Sequence, residues 1–170
     1  MPATTLPHAS SENCLNNMKT DYYIFTTDEL GTGRFVDYET IPYRVDTVIE
    51  DGDLILVPLN HDWRPEPAHI TTIKPIRITA PFLLANGWTQ TEQARDLNGD
   101  IIGDEPRFIL KRDDIWMTLY SRYGQLFVNR HKWITPVLYI HQLQNVMVSA
   151  GMSIREMTFL PEYYKANLPG

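Results

Sequence analysis

Trp116, Tyr120, Arg122, Phe127 and His131 fall within sixteen residues of one another. On a β-sheet, residues two apart share a face, and a face carrying Trp116, Tyr120 and Phe127 is a stacking platform. Aromatic planes stack on bases, and basic residues at the fringe hold phosphate. Arg122 and His131 would fill that second role. The chemistry is that of a nucleotide-binding or small-molecule-binding face, although no run typical of RNA-binding sheets accompanies it. The competing reading is packing. A sheet with two apolar faces usually has both covered, and the N-terminal half of the chain is the available cover. The pattern favours packing.

His141 and Asn145 lie one helical turn apart and form a polar helix edge that could share a ligand. Residues so placed more often make a solvated face or a local polar network. His61-Asp62 and Asp113-Asp114 are adjacent pairs, and neighbours on a strand point to opposite faces, so neither pair is preformed for acid–base work. The loop from Asp96 to Glu105 carries oxygen ligands at alternate positions, as a calcium loop does. Ile101 stands where the turn glycine belongs, however, and Arg107 where the bidentate glutamate belongs. Gly31-Thr32-Gly33-Arg34 lacks the lysine and the long following helix of a phosphate loop. Neither Gly-x-Ser-x-Gly nor His-Glu-x-x-His occurs. The chain therefore predicts no catalytic residue, no metal site and no cofactor.

The elements that must position these residues follow from periodicity and punctuation. Residues 1 to 20 have no apolar period and read as a flexible tail. Residues 21 to 78 read as short strands separated by turn signals, with Asp51-Gly52 the strongest hairpin signal. Such spacing predicts a small barrel-like or curled sheet. Thr79 as N-cap, Pro81 near the first turn and Gly87 after the last apolar residue predict a short helix. Trp88 starts a strand, and a long polar loop follows over 89–105.

Three antiparallel strands are predicted at 106–111, 114–122 and 125–131, turning at Arg112-Asp113 and Tyr123-Gly124. Alternation sorts them into an aliphatic face (Phe108, Leu110, Ile115, Met117, Leu119, Leu126, Val128) and the aromatic, basic-fringed face. A basic, strand-like segment runs into Thr135-Pro136, and a long helix is predicted from Pro136 to Ala150, capped by Thr135 and ended by Gly151. Its wheel puts Tyr139, Ile140, Leu143, Val146 and Met147 inside, with His141, Gln142, Asn145 and Ser149 opposite. A short strand is expected over 155–160, then a tail over 161–170. The predicted fold is α+β: a β-rich subdomain at 21–78, then an α+β subdomain at 79–160 with two helices on one face of a three-stranded sheet.

Charge is uneven along the chain. The total is −6, but residues 21–53 sum to −7 and residues 106–135 to +4. The two halves can pair internally or present differently charged surfaces. The acidic total argues against a duplex-DNA binder. Cys14 is the only cysteine, which excludes an intrachain disulfide and a cysteine-based zinc site and suits a reducing cytoplasm. No stretch approaches the roughly 20 apolar residues of a membrane span.

The segments ITAPFLLANGW (78–88) and YIHQLQN (139–145) carry a resemblance. They are similar to a family of short bacterial proteins common in gut anaerobes and in their phages and mobile elements. Those proteins show an "lt…L…GF" pattern, a few strands and a C-terminal "YVHQLQ" helix. The likeness covers roughly residues 73 to 152, with a looser match around 30 to 36. The long N-terminal tail and the polar 89–105 loop depart from it. The resemblance implies no activity and carries over no site residues. Its setting implies an accessory protein that binds a host factor, and negative charge would suit competition for a nucleic-acid-binding partner. The leading expectation is a non-enzymatic protein with a protein partner. A nucleotide or small-ligand sponge comes second, and a hydrolase without a recognisable motif third.

Overall fold

The computed structural model describes residues 23–59, 64–91, 98, 107–120, 125–128 and 131–159. The architecture is mixed α+β, with two antiparallel sheets and two α-helices among the described residues. The predicted tails at 1–20 and 161–170 lie outside the described residues, as do His61-Asp62, Cys14, the second turn at Tyr123-Gly124 and all of the calcium-like loop except Asn98.

The first sheet is a curled, five-stranded half-barrel in the order β4-β3-β2-β1-β5. Its strands are β1 (Phe35–Tyr38), β2 (Ile41–Val48), β3 (Asp53–Pro58), β4 (Glu66–His69) and β5 (Ile73–Pro75). The Asp51-Gly52 hairpin is present: both residues take left-handed φ, 62° and 87°, and Ile49 N–H donates to the Asp53 carbonyl across it at 2.7 Å. Gly52 is needed twice over. Its φ favours glycine, and a Cβ there would meet Ile70 Cγ2 at 2.8 Å. Alternate residues Val36, Tyr43, Val45, Leu54, Leu56 and Ile73 turn inward and form one core with Phe25 and Leu30. Both sheet edges carry proline, Pro67 on β4 and Pro75 on β5, which blunts an open edge.

The short helix forms as its punctuation predicts. α1 spans Ala80–Ala85, Thr79 Oγ1 accepts the Phe82 N–H at 3.4 Å, and Gly87 follows at φ 84°.

The second sheet has the order β10-β9-β8-β7-β6. Its strands are β6 (Thr89–Thr91), β7 (Arg107–Arg112), β8 (Ile115–Tyr120), β9 (Gln125–Val128) and β10 (His131–Pro136). The three predicted strands are its centre, β7 to β9. The first turn sits one residue later than predicted, at Asp113-Asp114, because Arg112 is still paired with Ile115. Asp113 accepts the left-handed conformation, φ 51°, which an Asp tolerates well.

The long helix starts later than predicted. α2 spans Ile140–Ser149, and Thr135-Pro136 end strand β10 instead of opening the helix. Proline is at home at the end of an edge strand, where its missing N–H costs nothing. The helix is capped from within: Gln142 Oε1 accepts the N–H groups of Leu138 at 2.9 Å and Tyr139 at 3.2 Å. The expected strand over 155–160 is a turn at Arg155-Glu156 instead, and Met157 and Phe159 plug the core.

Both helices cover the aliphatic face of the second sheet, as predicted. Phe82 and Leu83 of α1 and Ile140, Leu143 and Met147 of α2 pack with Phe108, Leu110, Met117 and Leu119. Phe35 and Ile76 of the first half join the same cluster. Among the described residues, no helix is long and apolar enough to cross a membrane.

Candidate functional site

Strand register places the predicted binding residues. Lys111 pairs with Trp116, and Ile109 pairs with Thr118, which pairs with Phe127. Arg107 pairs with Tyr120, which pairs with Gln125. Positions 116, 120 and 127 therefore share the sheet face away from the helices, together with 107 and 111. His131 pairs with Val128, which pairs with Met117, so register sets it in the alternate row with the core residues. Arg122 lies outside the described residues.

Trp116 is 45% exposed. The first sheet does not cover this face at Trp116, contrary to the packing reading. The first half instead joins the helix side, through Phe35 and Ile76. Lys111 Nζ lies 4.9 Å from the Trp116 ring centroid, in cation–π range. An exposed indole with a cation over it is a surface on which an aromatic or anionic group can stack.

The polar edge of α2 has a different character. Its residues bind the two halves of the chain together. The N-terminal segment Tyr23–Leu30, which ends in a 3₁₀ turn (Thr27–Glu29), forms a strap along the helix. Tyr23 OH donates to Glu29 Oε1 at 2.8 Å and sits 3.0 Å from His141 Nε2, and Gln142 Nε2 donates to it at 3.4 Å. Glu29 Oε2 accepts the Thr26 N–H at 3.2 Å. Asn145 Nδ2 donates to the Glu29 carbonyl at 2.9 Å, and Arg34 Nε donates to Asn145 Oδ1 at 2.6 Å. Gln144 accepts the Phe35 N–H at 2.9 Å and donates to the Gly33 carbonyl at 3.0 Å.

His141 and Gln144 are completely buried. Of the two ordinary readings of this edge, solvated face and local polar network, the network holds at His141 and Asn145, because the strap covers the flank of α2 that the helical wheel left open. Burial holds His141 well below the usual histidine range, at about 4, against the pull of Glu29, and Arg34 adds to the depression. Burial and the Glu29 carboxylate push the Tyr23 hydroxyl up to about 12. Burial also lowers the Arg34 guanidinium. Both groups of the Tyr23–His141 pair are thus uncharged at neutral pH.

Sequence reasoning missed Gln144 and the strap. A glutamine followed directly by asparagine, on a helix that must also bury an apolar arc, is the available signal: amides suit a seam that needs donors and acceptors without charge. Among the described residues no cluster of histidine, cysteine, aspartate or glutamate could hold a metal ion. No protein-family model, curated protein or solved structure matches the chain.

Proposed function

We propose that the chain is a non-enzymatic binding protein whose contact surface is the outer face of the second sheet. Its partner is a protein, and the resemblance of the 78–88 and 139–145 segments to short phage and mobile-element proteins supports an accessory role in which that partner is a host factor. The observation that carries the reading is the exposed Trp116 beneath Lys111, on the face away from the core. Tryptophan at the centre of a contact face contributes more binding energy than most residues, and charged groups around it set orientation and on-rate. The polar residues of the 139–145 segment are engaged in the seam, which leaves the recognisable motif a structural role and the sheet face the recognition role.

The test is affinity capture from a host lysate with the wild-type chain and Trp116→Ala side by side. A partner retained by the wild type and lost with the variant supports the reading. Identical retention on both baits overturns the assignment to this face.

A second reading is a nucleotide or small-ligand binder using the same face. The cation above the indole and the sheet face that positions 120 and 127 share with it favour it. Ligands that bind only the folded state raise its stability. Millimolar nucleotides that leave the melting temperature unchanged would rule it out.

A further inference from the structure

We propose that the strap Tyr23–Leu30 is an acid-released latch: protonation of His141 frees the strap from α2 and uncovers the apolar core of the first sheet. The geometry fixes where each proton sits. A tyrosine hydroxyl has one proton to give, and Tyr23 gives it to Glu29 Oε1 at 2.8 Å. The 3.0 Å contact between Tyr23 OH and His141 Nε2 must then be donated by the imidazole. His141 is the Nε2–H tautomer, and Nδ1 carries the bare lone pair.

That lone pair is the weak point. Nδ1 is buried and has no hydrogen-bond partner. The ring is enclosed by Tyr23 and Phe25 of the strap, at centroid distances of 5.3 and 4.8 Å, and by Tyr139 of its own helix at 5.9 Å. A second proton must go to Nδ1, where it creates a buried charge and a donor with no acceptor. The charged groups around it do not rescue it. Glu29 on the strap favours the imidazolium but is spent on Tyr23 OH and the Thr26 N–H. Arg34, on the turn before β1, opposes it. The Tyr23 hydroxyl, pushed up by burial and by Glu29, brings no charge.

The strap is the part that gives way. α2 is tied to β1 through Gln144 and to the second core through Leu143 and Met147. The strap is tied down by Phe25, Leu30, the Tyr23 contact to His141 and the bond from Asn145 to the Glu29 carbonyl. When it leaves, Phe25 and Leu30 leave the core they share with Val36, Tyr43, Val45, Leu54, Leu56 and Ile73. The exposed surface is apolar and available only in acid.

The experiment is hydrogen–deuterium exchange on the full chain from pH 7 to pH 4, corrected for intrinsic rates. Strap amides should open about tenfold more per pH unit below the ordinary histidine range, the slope of one proton, while β7 and β8 stay protected. His141→Gln keeps a neutral donor and should be flat over the same range. Strap protection that persists to pH 4, simultaneous opening of both sheets, or an unchanged slope in the variant overturns the latch. If the variant does not fold, imidazole nitrogen shifts of the wild type decide. An Nε2–H tautomer at pH 7, with a midpoint shared by strap amides, supports it; an Nδ1–H tautomer overturns it.

Discussion

Gln144 completes the start of strand β1 as a neighbouring strand would: its Oε1 accepts the Phe35 N–H at 2.9 Å and its Nε2 donates to the Gly33 carbonyl at 3.0 Å. One fully buried amide thus satisfies two backbone groups of the other half of the chain. Gln144→Leu keeps the size and strands both partners. A buried donor or acceptor left unpaired costs about 1–3 kcal/mol, so the expected loss is about 2–5 kcal/mol in urea denaturation. A loss under about 1 kcal/mol would mean that water or another group replaces the amide.

The hairpin between β1 and β2 turns on Glu39 and Thr40, both in left-handed backbone at φ 51° and 66°. Thr40 is β-branched, which makes this conformation costly. Two-residue hairpins of this kind favour Asn-Gly. The double change Glu39→Asn with Thr40→Gly should raise stability by about 1–2 kcal/mol, read as a higher melting temperature. The Thr40 N–H to Asp37 Oδ1 bond at 3.0 Å is a backbone donor and survives the change. An unchanged or lower melting temperature would show that the turn is not strained.

Local punctuation was legible where one turn decides the outcome. Thr79, Pro81 and Gly87 marked α1, and Asp51-Gly52 marked its hairpin, because each residue type answers a backbone demand within four residues. The β7–β8–β9 meander was legible from alternation, since the Phe108, Leu110, Met117 and Leu119 row must face the helices. The edge strands β6 and β10 were legible only in part, as a strand start at Trp88 and as the basic, strand-like run into Thr135-Pro136. β6 is three polar residues long, and β10 contains Thr135-Pro136, which read equally well as a helix cap and first turn. The arbiter was Gln142, whose side chain caps α2 at Tyr139 and so frees Pro136 for the strand. The polar role of His141 was legible but its burial was not, for a tertiary reason: a helical wheel assigns one buried arc, and the strap supplies a second, from more than a hundred residues away.

Stability should fall with acid through His141. Its folded-state value is depressed to about 4, below the ordinary 6.5. Above pH 6.5 neither state holds the extra proton, and the residue has no pH effect. Below pH 6.5 the unfolded chain binds it first, so stability is lost progressively down to about pH 4 and then levels off. At about 1.4 kcal/mol per pH unit, the full loss is about 3 kcal/mol. Urea midpoints at pH 7, 5.5 and 4 measure it for wild type and His141→Gln. Subtracting the variant removes the carboxylate contribution, and a residual of zero would contradict the depression.

Trp116 and Met117 are adjacent in β8 and should behave as opposites. Met117 is fully buried under the helices, whereas Trp116 is 45% exposed on the other face. Met117→Ala leaves a cavity in the core and should cost about 2–5 kcal/mol. Trp116→Ala removes a ring from the surface along with its contact to Lys111 and should cost about 1 kcal/mol or less. Binding should show the reverse order. A tryptophan at the centre of an interface contributes about 2 kcal/mol or more, so Trp116→Ala should weaken the partner by about thirtyfold or more. Met117→Ala, measured where it is still folded, should leave affinity within about threefold. Equal stability losses would mean that Trp116 belongs to the core, and unchanged affinity in Trp116→Ala would move the contact surface off this sheet.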